Sequence, residues 1–274
     1  MAHRFLFALL LLVWTPAMAA TPTPEERRLL EALGMSDVLE VMRAEGLDYA
    51  GELETQFFPG SGGAAWEATV SGIYATDAMR EIFVTDFAGR LEPATVEKAL
   101  DFFESDLGER VITLEVSARS ALLDPEVEDE SKALLEELIA ADGPRIGRLR
   151  AFVDANDLVE SNVVGALNAN YAFYVALNEG DAFPYAMSEE EMLADVWSQE
   201  PEIRRDTEEW IYSYLALAYR PLTGGELDAY IAFSESEVGR RYNRALFEAF
   251  DTMFTAISRR LGASVARFMS GQKI

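Results

Sequence analysis

The stretch FFESDLGER, at positions 102–110, returns with few changes as FSESEVGRR at positions 233–241. In each copy an apolar segment ends at a phenylalanine, and a serine, Ser105 or Ser236, follows three positions later. Serine is a preferred helix N-cap because its side-chain oxygen accepts hydrogen bonds from the first backbone N–H groups of the helix, which have no partner inside it. The stretch therefore predicts the same corner twice: one helix ends, and a serine starts the next.

A glycine falls in the first turn of each new helix, Gly108 in one copy and Gly239 in the other. Glycine in a helix costs about 1 kcal/mol relative to alanine. We interpret it as room for close approach, because a helix without a Cβ there can press against its predecessor. The expected structural residues are Phe102, Ser105, Gly108 and Arg110 in the first corner and Phe233, Ser236, Gly239 and Arg241 in the second.

The similarity between the two halves extends beyond the corners. At a constant separation of 131 positions, apolar residues fall on apolar residues: Leu91 on Leu222, Val96 on Leu227, Leu100 on Ile231 and, further upstream, Trp66 on Trp197. We interpret this agreement as an ancient internal duplication.

The amino terminus has the features of a secretory signal peptide. MAHRF supplies a short basic region with Arg4, FLFALLLLVW an apolar core, and TPAMAA small residues for cleavage. The apolar core is about half as long as a membrane-spanning helix. Residues 1–19 are therefore predicted to be removed after Ala19, with Ala20 as the second choice. We expect a periplasmic or secreted protein with no membrane span after cleavage.

The composition excludes several kinds of chemistry. The chain has no cysteine and a single histidine, His3, which lies in the predicted signal peptide. A Ser-His-Asp triad, a Cys-His nucleophile, a Cys- or His-dependent zinc site and a disulfide cannot be built without them. The net charge of −25 opposes binding to nucleic acid, and no basic stripe is visible. We expect no metal site, no cofactor and no nucleic-acid partner.

Helix-start signals dominate the rest of the chain. Capping boxes are predicted at Thr23 with Glu26, Ser188 with Glu191, and Thr223 with Glu226. The segment 57–65 is the clearest loop, and 66–90 after it reads as one longer helix. No segment combines strict alternation of apolar residues with β-branched enrichment, so no sheet is expected.

These features predict an all-α, multi-helix bundle of roughly ten to fourteen helices. It is expected to contain two related helical units with a helical insertion between them. The predicted boundaries are 20–122 for the first, divergent unit, 123–186 for the insertion and 187–270 for the second unit. Within this scheme 125–142 and 144–156 read as surface helices, and the more apolar 157–180 reads as a central helix.

The second copy resembles a known family. The pattern T-x-x-E-L-D-A-Y-I-A-F-x-E-S-x-V-G-R at 223–240 is similar to the signature of secreted bacterial proteins catalogued as domain of unknown function two-zero-five-nine. The likeness covers 187–260. The first copy, at 35–120, shares the corner residues but enters with Glu92-Pro93 where the second has Thr223-Gly224. The resemblance implies a secreted, all-helical protein and no particular activity.

Paired carboxylates are the acid-base chemistry that remains, and the matched acids Glu104 and Glu235 are the first choice for it. Solvated acids near a helix start, or partners for Arg110 and Arg241, explain the same residues more simply. The oxygen-rich string at 154–160 lacks the ligand register and the glycine of an EF-hand loop.

Aromatic residues are concentrated in two places: Tyr171, Phe173, Tyr174, Phe183 and Tyr185, and then Trp210, Tyr212, Tyr214 and Tyr219. A hydrophobic cleft between the repeats would suit a lipid-like or peptide ligand, although core packing accounts for the same residues. Arg240, Arg241 and Arg244 form a small basic patch that suits an anion or pairing with neighbouring acids.

The sequence therefore predicts a non-catalytic periplasmic helical module that binds an unknown protein or a small apolar ligand. The alternative is a hydrolase with two catalytic carboxylates, acting for example on a glycan. That alternative requires two acids that face each other across a cleft walled by aromatic residues.

Overall fold

A computed structural model describes residues 21–271, and this part of the chain consists of α-helices and their connections, with no β-strand. The all-α class predicted from the sequence is confirmed. In chain order the helices are α1 (Pro24–Ala32), α2 (Met35–Phe57), α3 (Gly63–Ile73), α4 (Thr76–Phe87), α5 (Pro93–Phe103), α6 (Asp106–Ala121), α7 (Pro125–Ala141), α8 (Pro144–Ala155), α9 (Leu158–Glu179), α10 (Glu189–Ser198), α11 (Glu200–Ala218), α12 (Gly224–Glu235) and α13 (Glu237–Met269). The predicted signal peptide, 1–19, and its cleavage site at Ala19 or Ala20 lie outside the described residues.

Three helices begin with the capping boxes that the sequence predicts, at Thr23, Ser188 and Thr223. In the first, the Thr23 hydroxyl accepts a hydrogen bond from the Glu26 N–H at 3.1 Å, and the Glu26 carboxylate accepts one from the Thr23 N–H at 2.7 Å. Glu26 is buried, and its second oxygen accepts a bond from the Gly89 N–H at 2.8 Å. The cap of α1 therefore also fixes the chain that leaves α4.

The prediction of one helix over 66–90 is wrong, because the chain turns between α3 and α4 at Tyr74 and Ala75. Arg43, on α2, donates hydrogen bonds to the carbonyl oxygens of Ser71 and Tyr74 at 2.9 and 3.0 Å. The last carbonyls of a helix have no partner inside it, so a side chain from a distant helix stabilises this break. Its cause is tertiary and not local.

The helix α13, with 33 residues, runs through the larger hydrophobic core. This core joins α13 to side chains of α1 to α5, and α9 packs along α13 more extensively than along any other helix. The helix predicted over 157–180 is present as α9. The helix predicted over 144–156 is present as α8, which buries one face, with Ile146, Leu149 and Phe152, in a second core with α6, α11 and α12 and leaves Arg150, Ala151 and Asp154 exposed.

Each of the two cores takes side chains from both predicted units. The first core draws on 29–103 and 242–268, and the second draws on 111–153 and 211–231. Phe102 and Phe233 contact both cores. The predicted units thus share their packing, and their boundaries stay a prediction.

Candidate functional site

The two corners that the sequence singled out have the same local structure. Ser105 Oγ accepts a hydrogen bond from the Gly108 N–H at 3.1 Å and donates one to the carbonyl oxygen of Phe102 at 2.6 Å. Ser236 makes the same two bonds in the second corner, at 3.0 and 2.6 Å. Each serine therefore ends one helix and starts the next.

Both glycines stand where the backbone of the preceding helix leaves no room for a side chain. A Cβ built on Gly108 would lie 2.1 Å from the carbonyl oxygen of Phe102, and one built on Gly239 would lie 2.0 Å from that of Phe233. Real Cβ atoms essentially never approach another atom so closely. The close approach expected from the sequence is present in both corners.

The corners also contact each other. The rings of Phe102 and Phe233 stack with their centroids 4.0 Å apart and an angle of 8° between the planes. Offset stacking of aromatic rings adds to the stabilisation from area burial. The stacked pair joins the end of α5 to the end of α12.

Each corner carries an arginine that reaches the start of the opposite helix. Arg110 donates to the Glu226 carboxylate in the first turn of α12 and to the carbonyl oxygen of Pro221 before it. Arg241 pairs with Glu92, the N-cap of α5, at 3.4 Å. The contact between the corners is therefore reciprocal.

The sequence suggests that Glu104 and Glu235 either form a pair of carboxylates or pair with Arg110 and Arg241. Glu104 pairs with Arg28 of α1 and not with Arg110. Across residues 21–271, Arg241 pairs with Glu237 and Glu92 and not with Glu235. Neither matched acid therefore pairs with the corner arginine expected from the sequence.

A different carboxyl group, which the motif search missed, lies in the protein interior. Glu115 follows Val111 by four positions on α6 and precedes Ala118 by three, so it shares their buried face. The Tyr219 hydroxyl donates to Glu115 Oε1 at 2.6 Å, and the Tyr230 hydroxyl donates to the same oxygen at 3.1 Å. The available signal was the helical spacing, which places an acid in line with two apolar residues.

Burial raises the pKa of Glu115, and the two tyrosine hydrogen bonds act against this shift. The pKa values of Tyr214, Tyr219, Tyr230 and Tyr242 are raised, first by burial and then by the negative charge of Glu115. All four phenols therefore remain neutral around neutral pH.

A cavity of about 160 Å³ lies beside Glu115, between α2, α6, α11 and α13. Its walls are mainly apolar, and they include Leu33, Met35, Val38, Val41, Ile112, Val116, Leu246 and Phe250. Glu115 is half-buried and is one of the residues that line this cavity. An engineered protein cavity of about 150 Å³ admits one benzene molecule, so this cavity suits a ligand of similar size.

Two polar atoms of the cavity have no hydrogen-bond partner within residues 21–271: Glu115 Oε2 and the Tyr242 hydroxyl. Every fully buried side-chain nitrogen or oxygen in this part of the chain has a partner. These two atoms are therefore not fully buried, and both residues line the cavity. Tyr242 itself is only 8% exposed.

An ion pair stands where the cavity approaches the surface. Arg119, which also lines the cavity, donates two hydrogen bonds to the Glu45 carboxylate at 2.8 and 3.1 Å. The side chains of Arg119 and Glu45 are 27% and 35% exposed. The guanidinium lies over the Trp210 ring, 5.8 Å from its centroid, which fixes it further.

The two corners lie 131 positions apart. Residues of this site differ in character from the residues that lie 131 positions away from them. Glu115 falls on Leu246 and Arg119 falls on Phe250, and all four line the cavity. Tyr242 falls on Val111, which is fully buried. Leu246 and Phe250 are thus apolar where Glu115 and Arg119, 131 positions earlier, are charged.

A second concavity, an open groove of about 580 Å³, lies between α13 and the turn from α8 to α9. It contains Arg240 and Arg244 of the predicted basic patch, together with Asp154, Asp157 and Glu160 from the oxygen-rich string. Across residues 21–271, no three acidic side chains are grouped so that they could hold a metal ion. The groove mixes both signs of charge and one aromatic residue, Phe247.

The predicted aromatic clusters divide between core and surface. Tyr219 is buried in the second core, whereas Tyr185 is 69% exposed. Trp66 and Trp197, which lie 131 positions apart, differ most: Trp66 is 2% exposed and Trp197 is 62% exposed. Aromatic content therefore marks no single ligand site.

The described helices, α1 to α13, include none that combines the length and the apolar character needed to cross a bilayer. In comparisons with known proteins, the chain matches no family model, no curated protein and no solved structure.

Proposed function

We propose that this protein is a non-catalytic binding module whose ligand site is the cavity beside Glu115. One observation supports this most directly: an apolar cavity in which two polar atoms, Glu115 Oε2 and the Tyr242 hydroxyl, have no partner in residues 21–271. Small-molecule sites are mainly apolar concavities with a few placed polar groups. A ligand that satisfies both atoms and fills the apolar space would be stabilised.

The lining of the cavity favours binding over catalysis. Glu115 is the one acid among the lining residues, whereas a carboxylate hydrolase needs two. The lining includes no histidine, cysteine, serine or lysine that would supply a nucleophile or a second proton carrier. The tyrosines around Glu115 hold it by hydrogen bonds and keep their own protons near neutral pH.

We also propose that the protein acts outside the cytoplasm. The basic, apolar and small-residue segments of 1–19 support this, as does the resemblance of 223–240 to a secreted family. Expression of the full chain in a bacterium should yield a periplasmic protein. Its intact mass should equal that of a chain that begins at Ala20, or at Thr21 if cleavage follows Ala20. Retention of Met1 in the cytoplasmic fraction would contradict the proposal.

The two-unit architecture is likewise our inference. The helices α2 to α6 form a series of five that ends with a serine-capped helix, and so do α9 to α13. In this comparison the second unit begins at α9, inside the segment 123–186 that the sequence predicts as an insertion, and not at 187. The two corners are alike and contact each other reciprocally through Phe102 with Phe233 and through Arg110 and Arg241. On this reading the cavity lies between the units, because α6 supplies Glu115 and α13 supplies Tyr242.

The binding function can be tested with toluene and benzyl alcohol, which match the size of the cavity. Titration calorimetry and ligand-observed NMR should show saturable binding and recovery of each probe unchanged. Val116→Phe, which fills the cavity, should weaken binding at least about tenfold. Val164→Phe makes the same change at an exposed position of α9 and should have no effect. Absence of saturable binding, or equal binding by the two variants, would reject the proposal.

A further inference from the structure

The polar atoms of the cavity indicate the chemistry of its ligand. We propose that the cavity binds a small organic amine, whose ammonium group lies between Glu115 Oε2 and the Tyr242 hydroxyl and whose apolar part, about one six-membered ring in size, packs against the aliphatic walls. This inference rests on the proposed binding function and names the ligand class.

The hydrogen-bonding capacity of the site suits a group with several donors. Both tyrosine donors to Glu115 converge on Oε1 and leave Oε2 without a donor in residues 21–271. The Tyr242 hydroxyl can accept as well as donate, and an ammonium carries three N–H donors and no acceptor. An ammonium can therefore donate to either oxygen, which a carbonyl or an ether cannot.

The charges around Glu115 also favour a cation. On α6 the nearest charged neighbour is Arg119, which is paired with Glu45 of α2. The other titratable groups that face Glu115 are phenols: Tyr214 and Tyr219 from α11 and its end, Tyr230 from α12 and Tyr242 from α13. The Glu115 carboxylate thus has hydrogen bonds but no cation of its own, and an ammonium would supply one.

Other ligand classes leave part of the site unsatisfied. A hydrocarbon would cover Oε2 and the Tyr242 hydroxyl without pairing them, at the cost of their hydration. A carboxylic acid would bring a second negative charge next to Glu115. The net charge of −25 adds a field that attracts cations and repels anions.

The tyrosine hydrogen bonds leave the Glu115 carboxyl incompletely paired. The residue 131 positions later, Leu246, lines the same cavity without a polar group. A buried carboxylate costs stability unless it is paired, and both tyrosine hydroxyls donate to one oxygen, Oε1. A ligand cation would pair the other oxygen.

Three probes of one shape separate the alternatives: benzylamine, benzyl alcohol and toluene, titrated into the purified protein. We expect benzylamine to bind at least about tenfold more tightly than toluene at pH 7.5, a difference of about 1.4 kcal/mol. The benzylamine preference should decrease as the pH falls and Glu115 gains its proton, while toluene affinity stays constant. This pH series needs no variant, so it stands even if a substitution disturbs folding.

Three variants test which residues cause the preference for benzylamine. Glu115→Gln keeps an oxygen acceptor for Tyr219 and Tyr230, and it should abolish the benzylamine preference with less than about a twofold change for toluene. Tyr242→Phe should weaken benzylamine about three- to tenfold. Glu97→Gln removes the same charge from an exposed position of α5 and should leave all three affinities unchanged.

The outcomes separate the two proposals. Binding of toluene and benzyl alcohol without a preference for benzylamine, or a preference that survives Glu115→Gln, overturns the amine inference and leaves the binding function standing. Failure of all three probes to bind overturns the binding function itself.

Discussion

Gly239 occupies a helical position at which propensity favours alanine and tertiary packing forbids it. A Cβ there would meet the carbonyl oxygen of Phe233, a backbone atom that cannot rotate away. We expect Gly239→Ala to lower the free energy of unfolding by about 2 kcal/mol or more, because overpacking typically costs about 1–3 kcal/mol and exceeds the gain in propensity of about 1 kcal/mol.

The control for this prediction is Gly147→Ala, in the middle of α8. A Cβ on Gly147 meets nothing within 4 Å, so the same substitution should raise the free energy of unfolding by up to about 1 kcal/mol. Urea denaturation followed by circular dichroism measures both variants. Equal effects of the two substitutions would show that Gly239 is not needed for the close approach.

Glu115 should make stability fall as the pH rises. Its pKa is raised in the folded protein, so below the ordinary glutamate pKa of about 4.3 both folded and unfolded states hold the proton. Above that pH the unfolded state loses its proton first, and the free energy of unfolding decreases until the pH passes the folded-state pKa. Glu115→Gln removes this titration.

The measured quantity is the difference in unfolding free energy between Glu115→Gln and the wild type, from urea melts between pH 4 and pH 8. It should increase with pH by about 1.4 kcal/mol for each unit by which the folded-state pKa is raised, and then level off. A flat difference across this range would show that the Glu115 carboxyl titrates normally.

At the level of helices, the features with local causes were predictable and those with distant causes were not. The caps at Thr23, Ser188 and Thr223 depend on residues within one turn, and all three are present as predicted. The break between α3 and α4 depends on Arg43, which is distant in sequence, and the prediction there was wrong. Helix spans are therefore readable from local chemistry wherever tertiary contacts do not interrupt them.

The candidate site shows the same division. The aromatic residues Tyr214 and Tyr219 were recognised, together with a possible cleft between the repeats. Glu115 was overlooked among 48 acidic residues, because a motif search looks for pairs and clusters along the chain. Its partners Tyr219 and Tyr230 are more than a hundred positions away, so only the folded arrangement of α6, α11 and α12 brings these groups together.

At the level of the whole molecule, the two larger cores share contacts with the same pair of phenylalanines. Phe102 and Phe233 stack on each other and contact both cores, and the helices of the predicted first unit contribute to both. The helix α13 packs on α4 and α5 as well as on α9, so neither predicted unit keeps its core when the other unfolds. This sharing implies that residues 21–271 unfold as one cooperative body.

A variant with Trp66 as its reporter tests this implication. Trp66 is buried in the first core and donates a hydrogen bond to the Ala50 carbonyl at 2.9 Å. Trp197 and Trp210 are largely exposed or at the surface, so both can be replaced by phenylalanine in a protein that begins after residue 19. Trp66 fluorescence then reports on the first core, and far-ultraviolet circular dichroism reports on all helices.

We expect the two signals to give one urea midpoint and one slope, because the first core cannot lose its packing without removing the partners of α12 and α13. Phe233→Ala should lower that shared midpoint equally for both probes, because Phe233 is partly buried and stacks on Phe102. The cost should stay below the about 3–5 kcal/mol that truncation of a fully buried phenylalanine causes. Separate midpoints in the parent protein would instead assign each core to an independent folding unit, and the stacked phenylalanines would then be a contact between domains.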